Sequence, residues 1–112
     1  MQTTVQNKRI EMLLEHLKKE PNDSFLNYAL AVEYGSLNKN EEAIDLIKNL
    51  LEKNPDYLGA YYQLGQLFEK TNNIENAVAT YKIGRTLAKT QDNKKAYGEL
   101  TEALMMLEDI DE

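Results

Sequence analysis

Sliding the chain against itself by 34 residues brings 24–55 onto 58–89, and the residues that meet agree in size class. Leu30 meets Leu64, Ala31 meets Gly65, Tyr34 meets Phe68, Asn38 meets Asn72, Ala43 meets Ala77 and Ile47 meets Tyr81. A period of this length marks a stacked repeat, in which each copy is one supersecondary unit that cannot bury its apolar face alone. Sliding back by the same interval sets Pro55 on Pro21 and Ile47 on Leu13, so the period begins before the first full copy.

Each copy divides into two helical stretches. Leu26, Leu30 and Tyr34 fall at i, i+4, i+8 with Ala31 beside them, and Ala43, Ile44, Ile47, Leu50 and Leu51 follow as a second stripe of one helical face. Asn38-Lys39-Asn40 separates the stripes in the first copy and Thr71-Asn72-Asn73 in the second. Asn accepts the left-handed conformation that ends a helix and also caps the start of the next, so the pair is expected to form an antiparallel hairpin. Pro21-Asn22-Asp23 and Asn54-Pro55-Asp56 stop one helix and offer an acidic or amide cap to its successor.

Residues 6–20, with Ile10, Leu13, Leu14 and Leu17 on one face, read as a lone helix equivalent to the second helix of a copy. Residues 92–108 read as a closing helix equivalent to the first, with Tyr97, Leu100 and Leu104 reproducing Tyr61, Leu64 and Phe68 at a spacing of 36. The pattern predicts about six helices in a single domain: a flanking helix at 6–20, repeats at 24–57 and 58–91, a capping helix at 92–108, and an acidic end at 109–112 that should fray. Two copies alone would leave apolar faces open at both ends, and the flanking helices supply cover.

These residues resemble the tetratricopeptide repeat, whose unit carries an aromatic, a Leu, a small residue and an aromatic on its first helix. Its second helix carries Ala, an aromatic and Ala, and Pro follows. The second copy supplies Tyr61, Leu64, Gly65, Phe68, Ala77, Tyr81 and Gly84; the first supplies Leu30, Ala31, Tyr34, Ala43, Ile47, Leu50 and Pro55. Asn27, Leu50 and Lys89 depart from the family's aromatic, Ala and Pro. Gly inside a helix is unfavourable by about 1 kcal/mol relative to Ala, so Gly65 and Gly84 argue for close approach of a neighbouring helix. The resemblance implies an all-α, right-handed α-solenoid of antiparallel helix pairs.

It also implies that the first helix of each pair lines a concave groove. Groove positions fall on Phe25, Tyr28, Val32 and Ser36, then on Tyr62, Gln66 and Glu69, then on Lys95, Glu99 and Glu102. Phe25, Tyr28, Val32 and Tyr62 would anchor a peptide or helix, aromatic side chains being frequent at binding hot spots. Gln66, Glu69, Lys95 and Glu102 would set its polarity. The alternative is that the aromatic residues complete the core at the open end. One subclass of the family grips a C-terminal carboxylate with basic and amide side chains; the matching positions here are Tyr28, Val32 and Gln63, with Lys95 the one basic candidate, and that clamp is absent.

Composition narrows the chemistry. The 112 residues contain no Cys, which excludes disulfides, thiolate metal sites and thiol catalysis. His16 is the one histidine, flanked by Glu15, and reads as a solvated side chain. No nucleophile–base order, glycine-rich phosphate loop or metal-spaced carboxylate pair accompanies it, so no enzyme activity, catalytic residue, metal or cofactor is expected. Met105–Met106 reads as core filler, with an adaptable contact surface the alternative. A net charge of −6 with scattered basic pairs speaks against nucleic acid and anionic membrane. The first residues lack the basic-then-apolar order of a signal peptide, and no apolar run approaches about 20 residues. The expected protein is a soluble, cytoplasmic interaction module binding a protein or peptide. Self-association into a homodimer through the groove or the closing helix is the alternative.

Overall fold

The computed structural model describes residues 4–111, which form α1 (Thr4–Lys19), α2 (Ser24–Ser36), α3 (Asn40–Lys53), α4 (Leu58–Lys70), α5 (Ile74–Thr90) and α6 (Lys94–Asp111). Side chains beyond Glu108, and with them the end at 109–112 where fraying is expected, lie outside the described residues. Contacts gather into two units, Met1–Pro55 and Asp56–Glu112.

Three helix ends close in the same way. Asn38, Asn72 and Asp92 take φ of 62°, 60° and 55°. The following amide reaches back five residues in each case: Lys39 N to Tyr34 O (2.9 Å), Asn73 N to Phe68 O (2.7 Å) and Asn93 N to Ala88 O (2.8 Å). This double-bonded ending satisfies carbonyls that a helix terminus would otherwise leave open, and Asn and Asp accept its left-handed residue better than most. The expectation for Asn38 and Asn72 holds, and Asp92 does the same work in the connection that lacks Pro.

Capping follows the sequence less closely. Asp23 caps α2, its carboxylate accepting from Leu26 N at 2.9 Å, and Asn93 caps α6 through Ala96 N at 3.0 Å. At α4, however, Tyr57 occupies the cap position and its side chain does not cap the helix, nor do those of Lys39 at α3 and Asn73 at α5. Asp56 instead offers its backbone carbonyl to Gln91 Nε2 (2.9 Å).

In the first unit α2 packs between α1 and α3. Leu30, Ala31, Ala43, Ile44, Ile47 and Leu50 form its buried centre. Asn27, at a position where an aromatic was expected, donates its amide to Pro21 O (3.0 Å) and Asp23 O (2.8 Å). It therefore ties down the loop that precedes its own helix. On α1, Ile10, Leu13 and Leu17 are half-buried while Leu14 is exposed. Arg9 of α1 also pairs with Glu33 of α2 through both carboxylate oxygens, at 3.0 and 3.3 Å.

The second unit packs α5 against both α4 and α6. Its centre is the Tyr81 ring lying against Gly65, where an added Cβ would fall 2.6 Å from ring carbons Cδ1 and Cζ. A Cβ on Gly84 would stand 2.8 Å from Tyr61 Cβ and 3.3 Å from Leu100 Cδ1. Both glycines therefore sit where two helices touch. Met105 and Met106, expected as core filler, are exposed because the buried stripe of α6 runs through Leu100, Leu104 and Leu107 instead. Tyr97 is 39% exposed, whereas Tyr61 at the matching position is 9% exposed.

Gly98 supplies an internal contrast, since a Cβ there would meet nothing within 4 Å. Gly65→Ala should destabilise the protein by about 1–3 kcal/mol through overpacking, while Gly98→Ala should stabilise it by about 0.5–1 kcal/mol through helix propensity alone. Urea denaturation of the two variants beside the parent checks both signs.

Candidate functional site

The first helix of each repeat carries two kinds of stripe, one buried and one facing outward. On α2 the outward stripe is Phe25, Tyr28 and Val32, at i, i+3 and i+7. Phe25 is 64% exposed, and Tyr28 and Val32 are half-buried. Phe25 is thus surface, while the other two divide their area between protein and solvent.

On α4 the matching stripe is Tyr62, Gln66 and Glu69, all half-buried. With Glu99, Glu102, Ala103 and Met106 of α6 they line a cleft of about 190 Å³ inside the second unit. The structure therefore brings Tyr62, Gln66, Glu69 and Glu102 together. Lys95 is exposed one turn before Glu99 and is not part of this lining. Three carboxylates and the Gln66 amide line a cleft whose other walls are an aromatic ring, a methyl and a thioether, an arrangement suited to a partner that is apolar and cationic together.

Beneath the cleft lies a polar group that sequence reading passed over. Tyr81 is wholly buried, but its hydroxyl donates to Glu69 Oε2 at 2.5 Å and accepts from Gln66 Nε2 at 3.1 Å. Its ring also lies 6.0 Å from that of Tyr62, tilted by 44°. Gln66 and Glu69 thus have a structural task, satisfying a hydroxyl that would be costly to leave unpaired, and that bond holds their side chains at the cleft wall. The 34-residue register carried a partial signal, since Tyr81 falls on apolar Ile47: an added hydroxyl at a core position requires a nearby partner.

A second hollow, of about 340 Å³, lies where α5 ends and α6 begins, lined by Ala88, Lys89, Asp92, Asn93, Lys94 and Tyr97. Among the described residues no group of three His, Cys, Asp or Glu side chains stands close enough to hold a metal ion. His16 is exposed on α1. No helix among the described residues is long and apolar enough to cross a membrane.

Antiparallel helix pairs, a small residue under a large one at the α4–α5 crossing and outward first-helix stripes define a helical-repeat protein. A tetratricopeptide repeat profile matches residues 58–82. A tetratricopeptide repeat domain protein from Salinibacter ruber is 36% identical, the match covering 77% of this chain and 96% of that one with a TM-score of 0.73. The chain belongs to the tetratricopeptide repeat family, whose fold mediates protein–protein interactions. The same fold recurs in a Bordetella parapertussis protein at 21% identity, covering 99% of this chain and 92% of that one with a TM-score of 0.83. It recurs again in the TPR2B domain of yeast Sti1, solved in a complex with pHsp70, at 20% identity, 89% and 80% coverage and a TM-score of 0.83. A search of curated proteins gave no match.

Burial, first, and the bond to Glu69 raise the Tyr81 pKa well above its ordinary value of 10.0, with the bond from Gln66 acting the other way. The Tyr61 pKa is also raised, by burial and then by the charge of Asp56. A hydroxyl that holds its proton more tightly when folded contributes stability below the unfolded pKa, and that contribution is lost as pH climbs past it. Stability should therefore fall steeply above pH 10, and Tyr81→Phe should flatten the slope while lowering stability near neutrality by about 1 kcal/mol. Denaturant melts between about pH 8 and pH 11.5, bracketing the ordinary tyrosine range, test both effects.

Proposed function

We propose that this protein is a cytoplasmic adaptor that docks a peptide or helix of another protein on the outward faces of its first helices, without catalysing a reaction. The observation that carries this reading is the α4–α6 cleft, where Tyr62, Gln66, Glu69 and Glu102 meet with Met106, itself 68% exposed. Large apolar side chains beside fixed polar groups suit recognition: the aromatic and thioether surfaces supply contact area, and the carboxylates set orientation. Phe25, Tyr28 and Val32 supply a comparable face on α2, and Lys95 lies at the edge of the α6 face. The Sti1 domain in its complex with pHsp70 gives precedent within the fold for a protein ligand. Net charge of −6 directs the proposal to proteins rather than nucleic acids.

The test pairs binding with stability. Phe25→Ala and Tyr62→Ala together should weaken binding of a purified partner, first captured from native extract, by at least about tenfold, as expected for hot-spot truncation. The melting temperature should move little for Phe25→Ala alone. Isothermal calorimetry and thermal melts read the two effects. Unchanged affinity in a folded double variant would sink the reading.

A further inference from the structure

The α4–α6 cleft carries three carboxylates, Glu69, Glu99 and Glu102, beside the apolar surfaces of Tyr62 and Met106. A surface of the opposite kind exists on the same chain. Helix α1 holds Lys8, Arg9, Lys18 and Lys19 against Glu11 and Glu15. Ile10, Leu13 and Leu17 turn toward α2, so the opposite side of α1 presents Val5, Lys8, Met12 and Lys19 at i, i+3, i+7 and i+14. Val5 and Met12 are each 61% exposed, and both lysines are exposed. Glu15 shares this side but is engaged by Lys18 at 3.1 Å. One face is thus apolar with acid at its borders, and the other is apolar with base at its borders.

We infer that the α4–α6 cleft of one copy takes the outer face of α1 from a second copy, Val5 and Met12 lying against Tyr62 and Met106 while Lys8 and Lys19 meet Glu99 and Glu102. The inference rests on the cleft being a docking face, as argued above, and names its occupant. Two features of the chain select a second copy over an unrelated helix: the complementary face is present at a concentration equal to that of the cleft, and its charge is opposite in a chain that is otherwise acidic. Charge pairs at the border of an interface steer and select partners and are screened by salt. The self-association is accordingly salt-sensitive.

Charge exchange tests this in the full-length chain. Glu99→Lys with Glu102→Lys makes the cleft basic, and Lys8→Glu with Lys19→Glu makes the outer face of α1 acidic; all four positions are exposed, so folding is checked by circular dichroism. In sedimentation velocity the parent should associate as concentration rises, and its association constant should fall about tenfold or more between low and high salt. Each charge-reversed chain alone should be monomeric, because base then faces base or acid faces acid. An equimolar mixture of the two should associate again, each reversed face finding its complement. A monomeric parent at every concentration, undiminished association of the Glu99/Glu102 variant, or a mixture that stays monomeric would overturn the inference. A monomeric parent that still binds its captured partner through Phe25 and Tyr62 would overturn self-docking alone and leave the adaptor reading standing.

Discussion

A phenol ring packed against a glycine is the contact around which the second unit is arranged. Tyr81 of α5 occupies the space that any side chain at position 65 would fill, and this brings α5 against α4. The approach is close enough for the Tyr81 hydroxyl to pass beneath α4 and meet Glu69 and Gln66. Those two side chains are in turn part of the cleft wall shared with α6. Packing, polar satisfaction and the candidate docking face are therefore consequences of one crossing. In the first unit the matching positions are Ala31 and Ile47, both buried, and neither side chain has a polar group to satisfy.

Much of this fold was legible in the chain because its main signals are local and repeated. The stripe spacings indicated about six helices, the number found among the described residues. The Asn38 and Asn72 turns were readable because their left-handed conformation restricts residue type. The errors have physical reasons as well. Asn54-Pro55-Asp56 looked like a cap, yet Tyr57 precedes α4 and the Asp56 carbonyl binds Gln91, a partner thirty-five residues away in the chain. Met105 and Met106 looked like filler because methionine is apolar; the phase of α6 turns them outward.

The candidate site was less legible than the fold. Stripe arithmetic identified which residues of α4 share a face, but a cleft needs a second wall. The joining of Glu99, Glu102 and Met106 to that face depends on how α6 lies beside α4. The double role of Glu69 was likewise hidden, since an acid on an outward stripe reads as solvated until the buried hydroxyl that reaches it is known. Asn27 makes the same point in reverse: read as a departure from the aromatic pattern, it proves to be a clasp for the loop at 21–23.

The three left-handed endings at Asn38, Asn72 and Asp92 also bear on how the chain acquires its shape. Each reverses direction using bonds that span only a few residues, and within each unit the helices meet mainly their neighbours in the chain. Little loop-closure entropy is then lost before native contacts begin to compensate. Such a topology favours rapid assembly, with individual hairpins able to nucleate in any order and to open one at a time. The residues that stop these helices are in that sense also its kinetic elements, setting where folding starts.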